Sequence, residues 1–161
     1  MRFLSMIDLQ PIDDGVTHIN VYSKARTSLG RFLSNFALSP FTLKDHGSFE
    51  SVEGYWYWLA TGCKHEHLRL LHGYEAKAAG KKLERVEIDD FEGKIKLAIR
   101  QKLLTHRVYL SQLIASDLPL THYYYYGYSL DNAKVVDAGY SWITDYIDSI
   151  RQACKEAKWQ V

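Results

Sequence analysis

The sequence predicts an α+β fold that is mostly helical, with a small antiparallel sheet. Apolar side chains recur with helical spacing over several stretches, and short alternating runs bounded by turn residues lie between them. The chain has 161 residues, of which 47% are hydrophobic and 24% are charged. This length suits one hydrophobic core and makes two separate cores marginal. We therefore expect residues 1–161 to form a single domain, and the composition excludes a disordered or collagen-like chain.

Three segments carry strand patterns. Residues 17–22 alternate apolar and polar side chains, which is typical of a half-buried strand, and residues 83–88 alternate in the same way. The segment 41–49 has apolar ends and a polar centre, which predicts a β-hairpin with Gly47 near its tip. The polar segment 24–30 is expected to be a surface loop.

Capping residues and apolar stripes delimit the helices. Ser51 is a favourable N-cap, and Asp89 or Asp90 can cap a later helix. Gly73 is expected to close one helix, and Gly80 to break the next. The predicted helices span residues 51–62, 65–72, 74–82, 90–103, 110–115 and 141–158.

Four consecutive tyrosines, at residues 123–126, precede Gly127 and permit two interpretations. In a strand, alternate rings pack on the core while their neighbours face the surface. Aromatic rings beside a glycine turn also form a shelf on which a purine or pyrimidine can stack. Core packing is the simpler interpretation, and the residues alone leave both open.

The charge balance and the cysteines limit the partners and the compartment. Twenty Lys and Arg oppose nineteen Asp and Glu, so the formal charge of +1 creates no overall positive field toward nucleic acid or an anionic membrane. No apolar run reaches the roughly 18 residues of a membrane span, and the apolar N-terminal stretch is too short for a secretory signal. Cys63 and Cys154 match no zinc or redox spacing. We expect free thiols, a cytoplasmic location and no membrane partner.

Two clusters of polar residues can be interpreted either as binding sites or as solvated surface. Three histidines lie within residues 65–72, but Arg69 stands where a helical metal site needs its second histidine, so a solvated helix is better supported than a metal site. Lys77, Lys81, Lys82 and Arg85 form the most basic segment. It is either a phosphate-binding site or a solvated surface. No glycine-rich phosphate loop or serine nucleophile elbow is present.

Glu53 follows the N-cap Ser51 by two positions and lies in the first turn of an aromatic helix. Acids are favoured there because they complement the helix dipole, and this structural explanation suffices for the pattern. If the residue is functional, the dipole is expected to keep it ionised. An ionised carboxylate among aromatic rings suits an oxocarbenium-like sugar carbon or an attacking water.

Several segments together resemble one family. The most specific are Phe-Leu-Ser-Asn-Phe at residues 32–36, Ser-Pro-Phe at 39–41 and Ser-Val-Glu at 51–53. Looser matches lie at residues 20–23, 76–81, 126–127 and 149–151. These segments resemble the NADAR superfamily, the YbiA-like N-glycosidases, over roughly residues 18–152. The resemblance implies a single NADAR/YbiA-like domain with that α+β fold.

The resemblance also implies a metal-independent hydrolase that cleaves an N-glycosidic bond in an ADP-ribosyl or phosphoribosyl nucleotide derivative. ADP-ribosylated guanine and a riboflavin-pathway intermediate are examples of such substrates. The family's catalytic glutamate corresponds to Glu53. No metal or organic cofactor is expected. The implied partner is a small nucleotide or an ADP-ribosylated base, which a nucleic acid can carry.

The same resemblance, with the flanking aromatic and basic residues, suggests which side chains bind substrate. The Ser-Asn-Phe segment shapes the pocket, aromatic rings enclose the base or ribose, and two cations are candidates for the phosphate. The expected substrate-binding residues are Arg31, Ser34, Asn35, Phe36, Tyr55, Lys77, Phe91, Tyr126, Gly127 and Trp142.

The chain departs from the family pattern on the glutamate's own helix. Gly54, Tyr57 and Ala60 stand where the family commonly has His, Gln and Lys, and a second acid has no counterpart near residues 126–127. The missing Lys removes an expected phosphate or ring contact. An alternative function is therefore a catalytically inactive module that binds ADP-ribose or a related nucleotide. A purely structural protein would neither bind nucleotide nor turn it over.

Overall fold

The computed structural model describes residues 9–127 and 129–156. Within them the helices are α1 (Ser28–Leu33), α2 (Val52–Ala60), α3 (Gly73–Lys81), α4 (Phe91–Thr105), α5 (Arg107–Ala115) and α6 (Ser141–Lys155). The strands are β1 (Ile19–Asn20), β2 (Phe41–Leu43), β3 (Gly47–Phe49), β4 (Leu120–Thr121), β5 (Tyr123–Tyr126) and β6 (Lys134–Asp137). The predicted mostly helical α+β fold is confirmed. The apolar N-terminal stretch and the predicted end of the last helix at residue 158 lie outside the described residues.

The strands form three two-stranded sheets. β2 and β3 form the predicted hairpin, with Phe41 opposite Phe49 and Gly47 at a φ of 80°. β5 and β6 are also antiparallel, with Tyr123 opposite Asp137. β1 and β4 instead pair in parallel, and this pairing differs from the predicted antiparallel sheet. Parallel pairing needs a long connection, and here five helices separate the two strands.

Helix α2 is the centre of the core and is buried on almost every side. Of its residues only Glu53 is not fully buried, whereas an amphipathic helix exposes a whole polar face. Ser51 caps it as predicted. Its Oγ accepts a hydrogen bond from the Gly54 amide at 2.9 Å and donates one to the Leu71 carbonyl at 2.8 Å. Ser51 therefore caps the first turn of α2 and also links it to the backbone at Leu71.

Two glycines allow other segments to approach α2 closely. A Cβ on Gly54 would lie 2.5 Å from the carbonyl oxygen of Leu68, and one on Gly80 would lie 2.5 Å from the Cβ of Tyr57. Both distances are shorter than van der Waals contact, so a side chain at either position would push its neighbour away. Gly80 lies inside α3 and does not break it, which corrects the prediction of a break there.

Two further local predictions are wrong. Residues 83–88 form no strand, because the segment lies beside α2 with no strand to pair with, and the Val86 amide donates to the Ala60 carbonyl at 2.9 Å. Residues 65–72 contain the 3-10 helix Glu66–Leu70 instead of an α-helix, and Gly73 begins α3.

The segment 24–30 is only partly a loop. Its end forms the start of α1, where the Thr27 Oγ1 accepts a hydrogen bond from the Gly30 amide at 2.9 Å. A helix of one and a half turns carries too little periodicity to be predicted from one sequence.

The apolar face of α6 completes the core. Ile143, Ile147 and Ile150 are buried, as the helical spacing predicts. The adjacent Arg151 is also buried, and its Nη1 donates to the Ser116 and Leu118 carbonyls at 3.2 Å and 2.9 Å. None of the described helices has the length and apolarity that a membrane span requires.

Candidate active site

A cavity of about 810 Å³ opens beside the first turn of α2. We call it the main cavity. The segment after β1, the loop 34–36, α2, α3, the chain around β5 and the start of α6 all contribute to it. The residues that line it are Val21, Tyr22, Ser23, Lys24, Ser34, Asn35, Phe36, Glu53, Trp56, Tyr57, Tyr74, Lys77, Lys81, Arg85, His122, Tyr124, Tyr126, Tyr140 and Ile143.

Glu53 provides the main cavity with its acid. No other Asp or Glu occurs among the described residues that line it. The Glu53 amide donates to the Asn35 carbonyl at 2.9 Å, which fixes the backbone from which the carboxyl projects. Within the described chain the carboxyl makes no hydrogen bond or ion pair with protein, so its oxygens are available to a ligand.

Burial raises the pKa of Glu53 to about 7, and the positive charges of Lys77 and Lys81 oppose that rise. This result overturns the expectation that the helix dipole keeps the residue fully ionised. The dipole is equivalent to about half a charge at the helix N-terminus, and removal of the carboxyl from water outweighs it. At neutral pH the side chain is therefore present in both protonation states.

Four cationic side chains line the main cavity together with this acid. Lys77 and Lys81 lie on α3, Arg85 follows that helix, and Lys24 lies in the segment after β1. The Lys77 Nζ is 6.0 Å from the centroid of the Phe36 ring, and the Arg85 guanidinium is 5.8 Å from that of Tyr57. With one acid against four cations, the wall carries a positive charge that favours anionic ligands.

Aromatic rings supply much of the remaining lining of the main cavity. The Tyr22 ring lies 5.3 Å from that of Tyr124, and the Tyr140 ring lies 5.3 Å from that of Trp56. Three tyrosines at the rim are largely exposed: Tyr74, Tyr126 and Tyr140, at 75%, 60% and 53%. Such rings offer stacking surfaces to a base or sugar.

The pKa values of the inner wall follow from burial. Burial, and then the negative charge of Glu53, raise the pKa of both Tyr57 and Tyr124. Burial lowers the pKa of His122, whose Nδ1 donates to the Val21 carbonyl at 2.6 Å. At neutral pH this wall therefore presents neutral hydroxyl and imidazole groups.

Three consecutive carbonyls in the loop 34–36 each bind a different helix. The Ser34 carbonyl accepts a hydrogen bond from Lys102 Nζ of α4 at 2.9 Å. The Asn35 carbonyl accepts one from the Glu53 amide of α2, and the Phe36 carbonyl one from the Gly73 amide of α3, each at 2.9 Å. The loop therefore fixes the helices that carry Glu53 and the cationic wall relative to one another.

Lys102 is an unusual support for this loop. Its side chain is only 2% exposed, and its Nζ lies 4.7 Å from the centroid of the Phe32 ring. No carboxylate neutralises it among the described residues. Burial lowers its pKa to about 7. No sequence pattern indicates this role, because a lysine in an amphipathic helix is usually solvated.

The structure brings together six of the residues named from the sequence. Glu53, Ser34, Asn35, Phe36, Lys77 and Tyr126 all line the main cavity. The Asn35 Oδ1 is buried and has no hydrogen-bond partner within the described chain. The amide thus retains unmet hydrogen-bonding capacity at the cavity wall.

The other named residues lie outside the main cavity lining. Tyr55 is buried in the core, where its hydroxyl bonds His46 Nδ1 at 2.9 Å. Phe91 and Trp142 pack on Trp56, with ring centroids at 4.9 Å and 6.1 Å, and therefore support the wall from behind.

Gly127 and Arg31 also lie beyond that lining. Gly127, at a φ of 144°, ends β5 just after Tyr126. Arg31 lines a neighbouring cavity.

Several lining residues were not predicted from the sequence to bind substrate. Tyr22, Tyr57 and Tyr140 come from three separate segments, and only the fold brings them together. For Lys81 and Arg85 the signal existed, since both belong to the basic segment, but spacing alone did not distinguish them from solvated charges. Both interpretations of the four tyrosines apply in part. Tyr123 is buried in the core, whereas Tyr124 and Tyr126 line the main cavity.

The described residues contain no group of three or more His, Cys, Asp or Glu that could hold a metal ion. The three histidines of residues 65–72 therefore form no such group.

Comparison with known proteins rests on the fold. No family model matches the chain, and no curated protein sequence matches it. Among solved structures, the chain is similar to the NMR structure of the E. coli protein YbiA, with a TM-score of 0.59. The match covers 92% of this chain and 95% of YbiA, at 16% sequence identity. The chain has the YbiA fold. The resemblance seen in the sequence is thereby confirmed as a likeness of fold to YbiA.

Proposed function

We propose that this YbiA-like chain is an N-glycosyl hydrolase that acts on an ADP-ribosyl or phosphoribosyl nucleotide derivative. The observation that carries the proposal is the Glu53 carboxyl, which has no protein partner in the described chain and lies in a cavity with cationic and aromatic walls. A carboxyl that only complements a helix dipole has no need of a cavity. Its pKa of about 7 is also suited to proton transfer near neutral pH.

The reaction can be written with Glu53 as its single acid. The protonated carboxyl donates its proton to the departing nitrogen as the bond between that nitrogen and the anomeric carbon breaks. The carboxylate that results stabilises the positive charge on the sugar carbon. It then accepts a proton from the attacking water as the oxygen bonds to that carbon. Glu53 ends protonated again, and the products are the free sugar hydroxyl and the released N–H compound.

The walls suit the two ends of such a substrate. A phosphate carries the negative charge that Lys77, Lys81 and Arg85 favour, while a ribose or base stacks on the rings of Tyr22, Tyr124 and the rim tyrosines. A small nucleotide fits the volume of about 810 Å³. A nucleic acid can carry the modified base. Free Cys63 and Cys154 suit the cytoplasmic location that we propose.

A glutamine substitution separates the enzyme from its alternative, a module that binds ADP-ribose without cleaving it. The single acid in the described lining and the family lysine replaced by Ala60 favour that alternative. The wild type is incubated with ADP-ribosylated guanine or phosphoribosylated pyrimidines, and product release is followed by chromatography. We expect turnover by the wild type and none by Glu53→Gln, which keeps the fold and ligand binding.

Glu75→Gln is the matched control, since Glu75 also lies in the first turn of a helix but does not line the main cavity. It is expected to retain turnover. Saturable binding of ADP-ribose without product from the wild type would establish the binding module. Wild-type turnover by Glu53→Gln would refute the assignment of Glu53.

A further inference from the structure

A second cavity, of about 380 Å³, lies beside the main cavity, and we call it the side cavity. Ser23 and Phe36 line both cavities and therefore form the wall that they share. Arg31 lines the side cavity and not the main one. A ligand that occupies the main cavity and extends past Phe36 enters a space with its own cation.

The backbone holds the Arg31 guanidinium in place. Its Nη1 donates to the Ala25 carbonyl at 2.8 Å and to the Arg26 carbonyl at 3.1 Å. Nε and Nη2 have no hydrogen-bond partner within the part of the chain that the structure describes. A guanidinium fixed on one side presents its remaining donors with little further loss of side-chain entropy on binding.

The polar residues of the side cavity also favour an anion. The rest of its lining is apolar or aromatic: Phe32, Phe36, Ala37, Leu38 and Tyr109. His72, Ser23 and Ser28 line it, and no Asp or Glu does among the described residues. Gly73, at the start of α3, lines it as well, which adds the positive end of a helix dipole. The tetrahedral oxygens of a phosphate match a guanidinium fork with hydroxyls beside it.

We propose that the side cavity binds the second phosphate of a diphosphate-linked ligand. The main cavity then holds the ribose and the phosphate attached to it, and the diphosphate passes Phe36 and Ser23. This inference rests on the proposed function for the occupant of the main cavity. It assigns the chain a preference for an ADP-ribosyl ligand over a phosphoribosyl one, because only the former has a phosphate to place beside Arg31.

Calorimetric titration tests this preference with ADP-ribose and ribose 5-phosphate as probes. We expect Arg31→Gln to weaken ADP-ribose binding by about 10- to 100-fold, the usual effect of a charge-assisted hydrogen bond. Binding of ribose 5-phosphate is expected to be unchanged. Arg107→Gln is the matched control, since this exposed arginine of α5 lines neither cavity, and both affinities are expected to stay at the wild-type value. Circular dichroism checks that both variants fold.

Equal effects of Arg31→Gln on the two ligands, or no effect on either, would overturn the side-cavity assignment. A second probe covers the case in which the wild type binds neither ligand. Inorganic pyrophosphate is titrated while backbone amide signals are followed by NMR. Shifts at Ser28 and Gly73 that Arg31→Gln abolishes would support the anion site although the proposed function had failed. Absence of those shifts would overturn the site as well.

Discussion

Replacement of Lys102 by methionine is expected to change how the stability of the fold depends on pH. The Lys102 side chain is 2% exposed, and its pKa falls from 10.5 to about 7 on folding. Between these two values the unfolded chain binds more protons at this residue than the folded chain does. The free energy of unfolding therefore rises with pH across this window, by up to about 1.4 kcal/mol per pH unit.

The difference between two pH values gives the magnitude. From pH 7.5 to pH 9 the contribution of Lys102 amounts to about 2 kcal/mol. Other groups titrate in this range, including the two cysteines, whose pKa values burial raises. The wild type and Lys102→Met share those groups, so the difference between their curves isolates Lys102. Burial is nearly complete, and solvent screening therefore does not reduce the effect.

Urea denaturation, followed by tryptophan fluorescence at each pH, measures this difference. The unfolding free energy of the wild type is expected to rise by about 2 kcal/mol relative to that of Lys102→Met between pH 7.5 and 9. Lys96→Met is the control, because Lys96 lies on the same helix but is partly exposed and paired with Glu92. Its curve is expected to run parallel to that of the wild type. Parallel curves for Lys102→Met would show that the amine is not neutralised on folding.

Three further substitutions or conditions test the site and its supports. In the hydrolysis assay, kcat/KM is expected to fall above about pH 7, because Glu53 must be protonated to donate; a rate that rises there would contradict its acid role. Gly80→Ala is expected to lower the unfolding free energy by about 1–3 kcal/mol and to weaken ADP-ribose binding, because the new Cβ meets Tyr57 and displaces the helix that carries Lys77. Calorimetry that shows unchanged binding would contradict that coupling. Ser51→Ala removes the cap of α2 and is expected to cost about 1 kcal/mol in urea denaturation; no change would mean that the cap is dispensable.

Local signals account for the parts of the fold that the sequence predicted. The Ser51 cap, the hairpin around Gly47 and the apolar face of α6 each depend on residues a few positions apart. The segment 83–88 shows the limit of such signals. Its alternation is that of a strand, but a strand exists only if a partner lies beside it, and the fold supplies none.

The candidate site was predictable only in part, for the same reason. Glu53 and the loop 34–36 stood out because a cap, an acid and a family-like motif lie close together in sequence. The rings of Tyr22 and Tyr124 are in contact although about a hundred residues separate them in the sequence. No hydrophobic periodicity can predict such a contact. Lys102 was hidden because the pattern of its helix gives no indication that the amine reaches Ser34.

Two ionisable groups near this loop, the partly buried Glu53 and the buried Lys102, indicate why the Glu53 carboxyl remains available to a ligand. Glu53, with a raised pKa, contributes stability that is lost as the pH rises through about 7, whereas the stability that Lys102 contributes is gained as the pH rises above about 7. A direct ion pair between them would have reduced both penalties. Lys102 instead donates to the Ser34 carbonyl, and the Glu53 amide donates to the adjacent Asn35 carbonyl. The Lys102 amine thus holds the loop 34–36 through the Ser34 carbonyl. The Glu53 carboxyl lines the main cavity without a protein partner in the described chain. The Lys102 amine supports the fold, whereas the unpartnered Glu53 carboxyl costs stability without holding any part of it. The ligand that we propose for the main cavity would give that carboxyl a partner.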